Sequence, residues 1–185
     1  MNLPNKITVC RMFIAPIFLV VYFLGLEHRM LISALIFALG SITDFLDGRL
    51  ARKNNIVTNF GKLLDPIADK MLVTAGLLAL MQDGLCNIWI VMLILTRDFA
   101  ITSVRMIASA QGVVIPANIG GKIKTAMQMI SFVTIMLLGE MKFAFGAEIP
   151  LAIVSNILLG LTAAVAVFSG LWYLFDSRKV IDFKK

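Results

Sequence analysis

The chain has 185 residues, 59% hydrophobic and only 15% charged, with a net charge of +6 and a mean hydropathy of +0.92. Soluble domains run nearer ~45–50% apolar and ~25% charged, so an ordinary water-soluble domain, a disordered chain and a disulfide scaffold are all excluded. At roughly 20 residues per spanning helix, about six spans fit the length as a single membrane domain over 1–185, with no separate soluble domain.

Apolar runs fall at about 8–26, 30–48, 63–82, 86–110, 121–141 and 150–175. Hydrocarbon leaves no partner for an exposed backbone, so these runs are expected to be helices, giving an all-α integral membrane protein with six transmembrane helices. Lys6 and Arg11 ahead of an apolar core resemble a secretory signal, but the core ends in Gly25-Leu26-Glu27-His28 with no small-x-small cleavage site after it, so the run reads as a retained span. The second run ends among acids, and the third begins among them. The fourth carries Arg97 and Asp98 about halfway along, the fifth opens with Lys122 and Lys124, and the sixth is crowded with small residues from Gly160 to Gly170. That small-residue stripe suits close helix packing within the chain or a dimer face.

Orientation follows from the basic residues. With both termini cytoplasmic, thirteen of the seventeen Lys and Arg flank inner ends, among them Arg178, Lys179, Lys184 and Lys185. Cys10 and Cys86 then lie near opposite faces and cannot pair. The positive charge suits anionic lipid headgroups or anionic small substrates. Nucleic acid is not an expected partner, because no basic face interleaved with aromatics occurs.

The chemistry concentrates between residues 44 and 69, where the sequence reads DFLDGRLARKNNIVTNFGKLLDPIAD. Asp44 and Asp47 are three apart; Asp65 and Asp69 are four apart. Each spacing puts its pair on one helix face, and two helices joined by a short connection can oppose those faces. Four convergent carboxylates must protonate or hold a cation. An all-oxygen set without His or Cys selects a hard divalent ion, Mg²⁺ or Mn²⁺, and two such ions would form a clamp for displacement at phosphorus. Gly48 and Gly61 lack a Cβ and Ala51 is small, so a nucleotide phosphate can approach the helices closely. Arg52 offers a forked donor to phosphoryl oxygens.

Asp44-x-x-Asp47-Gly48-x-x-Ala51-Arg52, eight residues, then Gly61-x-x-x-Asp65-x-x-x-Asp69 resembles the complete signature of the CDP-alcohol phosphatidyltransferases. The resemblance implies six transmembrane helices with a cytoplasm-facing site and a homodimer, and transfer of a phosphatidyl group from a CDP-lipid to an alcohol with release of CMP. It also implies that Asp44, Asp47, Asp65 and Asp69 surround the metals, that Asp69 is the base, and that Gly48, Ala51, Arg52 and Gly61 line the CDP site.

The acceptor is read from charges outside the signature. An ionisable pair midway along a span, Arg97-Asp98, is expensive and usually lines a polar cavity. Arg105 follows two turns on, and Lys122, Lys124, Thr8 and Arg11 open neighbouring helices. Together they suit an acceptor that itself carries phosphate. Arg11, Lys122 and Lys124 read equally as positive-inside anchors, and Arg97 with Asp98 as a buried structural pair. Asn5-x-x-Thr8-x-x-Arg11, Arg97-Asp98, Ser103 with Arg105, and Gly121-Lys122-x-Lys124-Thr125-x-x-Gln128-Met129 resemble the bacterial phosphatidylglycerophosphate synthase branch of that family. Many members have Glu where Asp98 stands. This branch resemblance implies CDP-diacylglycerol and sn-glycerol 3-phosphate as substrates, in the bacterial cytoplasmic membrane. A synthase for phosphatidylinositol phosphate or cardiolipin, and a divalent-cation transporter, remain the alternatives. The sole histidine, His28, is expected in an outward loop, which argues against histidine nucleophilic catalysis.

Overall fold

A computed structural model describes residues 3–53, 59–113 and 119–177; the side chains of 3–8, 44–53, 59–66 and 69 lie outside what it describes. Six helices follow in chain order: α1 (Leu3–Phe23), α2 (Arg29–Lys53), α3 (Asn59–Gln82), α4 (Ile88–Ala110), α5 (Ile119–Phe145) and α6 (Leu151–Ser177). No strand occurs among the described residues. Each of the six apolar runs falls on one helix; α2, α3 and α5 begin or end a few residues beyond their runs, whereas α1 stops at Phe23 and α4 begins at Ile88, inside theirs. Two of them, α5 and α6, are long and apolar enough by hydropathy to cross a membrane among the described residues.

Helix ends are set locally. After α3, Gly84 adopts φ +71°, Gly84 N bonds Met81 O at 3.0 Å and Leu85 N bonds Leu80 O at 2.8 Å. After α4, Gly112 (φ +74°) repeats the arrangement, with Val113 N on Ala108 O at 2.9 Å. Both are left-handed glycine stops that satisfy carbonyls otherwise lacking partners, which is why the chain can reverse there within a few residues. At the start of α4, the Asn87 side chain accepts from Trp89 N at 2.9 Å and caps the first turn.

α1 packs along α2 and α3, α2 also along α5, and α6 along α5 and α4. The centre is aromatic: Phe37 stacks on Phe132 with ring centroids 4.8 Å apart and meets Phe18 edge-on at 6.0 Å. Gly76 makes room for this cluster, since a Cβ there would lie 3.2 Å from Phe37 and 3.3 Å from Phe132. Small residues of α6 serve internal packing: Ala163, Ala166, Ser169 and Gly170 are all buried.

One end of the bundle is tied by polar contacts between the end of α1, the start of α2 and the end of α3. Arg29 NH2 donates to Asp83 Oδ2 at 2.7 Å, and Tyr22 OH donates to the same oxygen at 2.9 Å. His28 Nδ1 lies 2.5 Å from Glu140 Oε1 of α5, and Ser155 of α6 donates to Leu85 O at 2.6 Å. Asp83 and Glu140 each close an inter-helix contact. The alternation of helix direction therefore gathers the start of α1, the end of α2 and the start of α3 at the opposite end, together with the end of α4, the start of α5 and the end of α6.

Candidate active site

That second end carries the signature residues. Asp44 and Asp47 lie in the second half of α2, and Asp65 and Asp69 in the first half of α3. Two contacts fix the register between these antiparallel helices. A Cβ at Gly40 would lie 2.7 Å from Leu72 Cδ2, and one at Gly76 would lie 3.2 Å from Phe37 Cε2. Asp44 and Asp47 follow Gly40 toward the end of α2, and Asp65 and Asp69 precede Leu72 toward the start of α3. Gly48, Ala51 and Arg52 follow on α2, and Gly61 precedes on α3. The side chains of all eight lie outside the described ones, as does that of Thr8 on α1. The donor set, four carboxylates with no sulfur or imidazole, fits a hard divalent cation.

Toward the same end, α4, α5 and α6 are joined by a part-buried ion network. Lys124 Nζ donates to Asp98 Oδ2 at 2.5 Å, and Arg97 NH1 donates to Asp98 Oδ1 at 3.1 Å. Arg97 also donates to Ala166 O at 3.3 Å and to Ser169 Oγ at 3.2 Å. Such a network holds only because every charge has an opposite or dipolar partner; removing one would leave a desolvated ion. The guanidinium stem passes Gly170, where a Cβ would lie 2.8 Å from Arg97 Cγ. Backbone and side-chain contacts thus bind Arg97 to α6 and to its neighbour on α4.

The remaining acceptor candidates divide. Arg11 is only 2% exposed on α1. Arg105 Nε donates to Tyr173 OH at 3.1 Å, with the guanidinium carbon 5.3 Å from the ring centroid. Lys122 is exposed, whereas Lys124, about 200° further round α5, is buried. The two lysines therefore do not share a direction, although two positions so close in sequence read as one basic patch.

A second feature was not legible beforehand. Between α1, α3 and α4 lies an open apolar groove of about 590 Å³, lined by Pro16, Leu19, Met71, Leu78 and Phe99 among others. Its cation is Lys70, next to Asp69, which donates to Thr102 Oγ1 and sits 5.8 Å from the Phe99 ring centroid. The signal in the sequence was a lysine inside an apolar run facing small and hydroxyl residues on another helix, a pairing that needs the helix rotation to be known.

An all-helical bundle in which α5 and α6 are long and apolar enough to cross a membrane is consistent with a membrane protein. The chain belongs to the CDP-alcohol phosphatidyltransferase family, whose model matches residues 1–175. It is 39% identical over 179 residues to the CDP-diacylglycerol–glycerol-3-phosphate 3-phosphatidyltransferase of Bacillus subtilis (strain 168), covering 90% of this chain and 88% of that protein. The Rickettsia felis protein of the same name is 34% identical over 178 residues, covering 96% of each chain. A third protein of that name, from Mycoplasma pneumoniae, is 36% identical over 150 residues, covering 70% of this chain and 65% of its own.

Proposed function

We propose that the protein transfers the phosphatidyl group of CDP-diacylglycerol to sn-glycerol 3-phosphate, giving phosphatidylglycerophosphate and CMP. The observation that carries this reading is the near full-length similarity to proteins named for that reaction, in a chain that carries one Asp pair on α2 and another on α3.

The setting is a bilayer. All six helices are 21–27 residues long, enough to cross ~30 Å of hydrocarbon. Large apolar side chains point outward on several of them, such as Phe13, Leu39, Trp89, Ile130 and Phe168, a surface that suits lipid and not water. In this reading six helices span the bacterial cytoplasmic membrane, both termini and the carboxylate end face the cytoplasm, and two copies form a homodimer.

Asp44, Asp47, Asp65 and Asp69 would hold Mg²⁺ or Mn²⁺, as one or two ions. A bound ion of this kind neutralises phosphoryl oxygens and the charge that develops on the departing nucleotide. Gly48, Ala51 and Gly61 leave room for the CDP moiety, and Arg52 donates to its phosphoryl oxygens. Asp69 accepts the proton of the acceptor 1-hydroxyl as that oxygen attacks the lipid-side phosphorus; the bond to CMP breaks, and CMP leaves with the electron pair. Arg11, Arg105 and Lys124, with Thr8 and Lys122 at the rim, hold the acceptor phosphate and so orient the hydroxyl. Arg97, already engaged with Asp98, Ala166 and Ser169, braces α4 on α6 at the edge of that pocket.

The test supplies purified protein with CDP-diacylglycerol and labelled glycerol 3-phosphate, inositol phosphate or phosphatidylglycerol, with and without EDTA. CMP release and label transfer to glycerol 3-phosphate alone, abolished by EDTA, is the expected result. Transfer to another acceptor instead, or metal flux in vesicles without CMP release, overturns the assignment.

A further inference from the structure

Buried polar side chains in the described part of α5 and α6 are mostly engaged. Ser131 and Thr162 share a hydrogen bond at 3.3 Å, Thr162 donates to Leu158 O at 2.9 Å, and Ser169 donates to Ala166 O at 3.1 Å. Lys124 is held by Asp98. Gln128 breaks this pattern. It is 1% exposed, and its Nε2 has no hydrogen-bond partner among the described residues.

A carboxamide nitrogen carries two donors, and leaving them unmade away from water is costly enough that native structures rarely tolerate it without a reason. Gln128 lies one helical turn from Lys124 on the same buried face of α5. Beyond it that face carries Ser131, already bonded to Thr162, and then turns apolar through Phe132, Ile135 and Met136. The donor therefore stands at the floor of the polar end, directly beneath the cation assigned to the acceptor.

We propose that Gln128 is an acceptor-binding residue whose amide donates to an oxygen of the phosphorylated alcohol held by Lys124. This inference rests on the transferase reading above. A site built to hydrogen-bond one substrate oxygen discriminates strongly, because the donor is satisfied only when that oxygen arrives.

The experiment uses the full-length protein with Gln128→Met, which keeps length and removes the donors. Without acceptor, Gln128→Met is expected to unfold thermally at or above the wild-type temperature, since no hydrogen bond is lost. Its KM for glycerol 3-phosphate is expected to rise about tenfold, with the KM for CDP-diacylglycerol within about twofold of wild type. If Gln128→Met does not fold, Gln128→Asn, which retracts the donor by one methylene, is expected to give the same split. An unchanged acceptor KM overturns the inference, as it would if a water satisfied the amide; so does an equal rise in both KM values. Wild-type protein is the separating control. No CMP release with glycerol 3-phosphate there sinks the transferase reading as well, whereas wild-type turnover with an unaffected variant sinks this inference alone.

Discussion

Asp98 on α4 receives Lys124 of α5 at 2.5 Å on one oxygen and Arg97 at 3.1 Å on the other. One carboxylate therefore pairs with a buried lysine and a half-buried arginine, and it fixes the Lys124 ammonium across a pair of helices that otherwise touch little. Replacing Asp98 by Ala removes the carboxylate that both cations share and is expected to cost about 3–5 kcal/mol, read as a fall in unfolding temperature in detergent. Asp98→Glu should retain most of the stability. In the Asp98→Ala background, Lys124→Met should recover part of the loss, because a buried ammonium that has lost this carboxylate is removed. If Asp98→Ala unfolds like wild type, the network is not carrying the α4–α5 contact.

The signature carboxylates should behave as a unit. Asp44→Asn and Asp65→Asn are expected to abolish CMP release, with no recovery on adding Mg²⁺ or Mn²⁺, while wild-type protein stripped by EDTA recovers with either ion. Asp69→Asn removes the proton acceptor as well, and should lower kcat by about 10²–10⁴ with a smaller effect on CDP-diacylglycerol binding. Steady-state rates with varied lipid and metal separate these outcomes; full rescue of Asp44→Asn by metal would argue against its place in the ligand set.

Much of this arrangement was legible in the sequence because it is local. The phase of Asp44, Asp47, Asp65 and Asp69 within their helices follows from spacing alone, and the glycines after α3 and α4 mark where helices stop. What spacing does not supply is rotation. These helices are apolar on nearly every side, so no stripe announces which face turns inward. Lys122 and Lys124 looked equivalent until the bundle placed one outside and one against Asp98. The partners of Asp83 and Glu140 lie 54 and 112 residues away in sequence, and the 1% exposure of Gln128 depends on helices that contribute nothing to its local pattern. The groove beside Lys70 is likewise a property of three helices and of none singly.

Arg105 and Tyr173 give a graded test of the acceptor pocket. Tyr173 both accepts from Arg105 Nε at 3.1 Å and places its ring under the guanidinium. Arg105→Ala should raise the KM for glycerol 3-phosphate by about tenfold or more while sparing the KM for the lipid. Tyr173→Phe keeps the ring and loses only the oxygen, so a rise of a few fold is expected. Equal changes in both KM values would remove Arg105 from the acceptor pocket.

The contact of Gly120 with Ser169 predicts a size-swap rescue. A Cβ at Gly120 would lie 2.8 Å from Ser169 Cβ and 3.6 Å from its Cα, and neither atom can move without moving α6. Gly120→Ala is therefore expected to force the start of α5 away from α6 and to destabilise the protein by about 1–3 kcal/mol. The same displacement disturbs the Ser169 hydroxyl that accepts from Arg97 at 3.2 Å, so the acceptor KM should rise alongside. Adding Ser169→Gly vacates the space that the new methyl needs. The double variant should recover most of the stability, yet keep the raised KM, because the Arg97 acceptor is then gone. Thermal unfolding and acceptor kinetics on the two single variants and the double variant decide the matter: a double variant no more stable than Gly120→Ala would mean that the strain lies elsewhere than at Ser169.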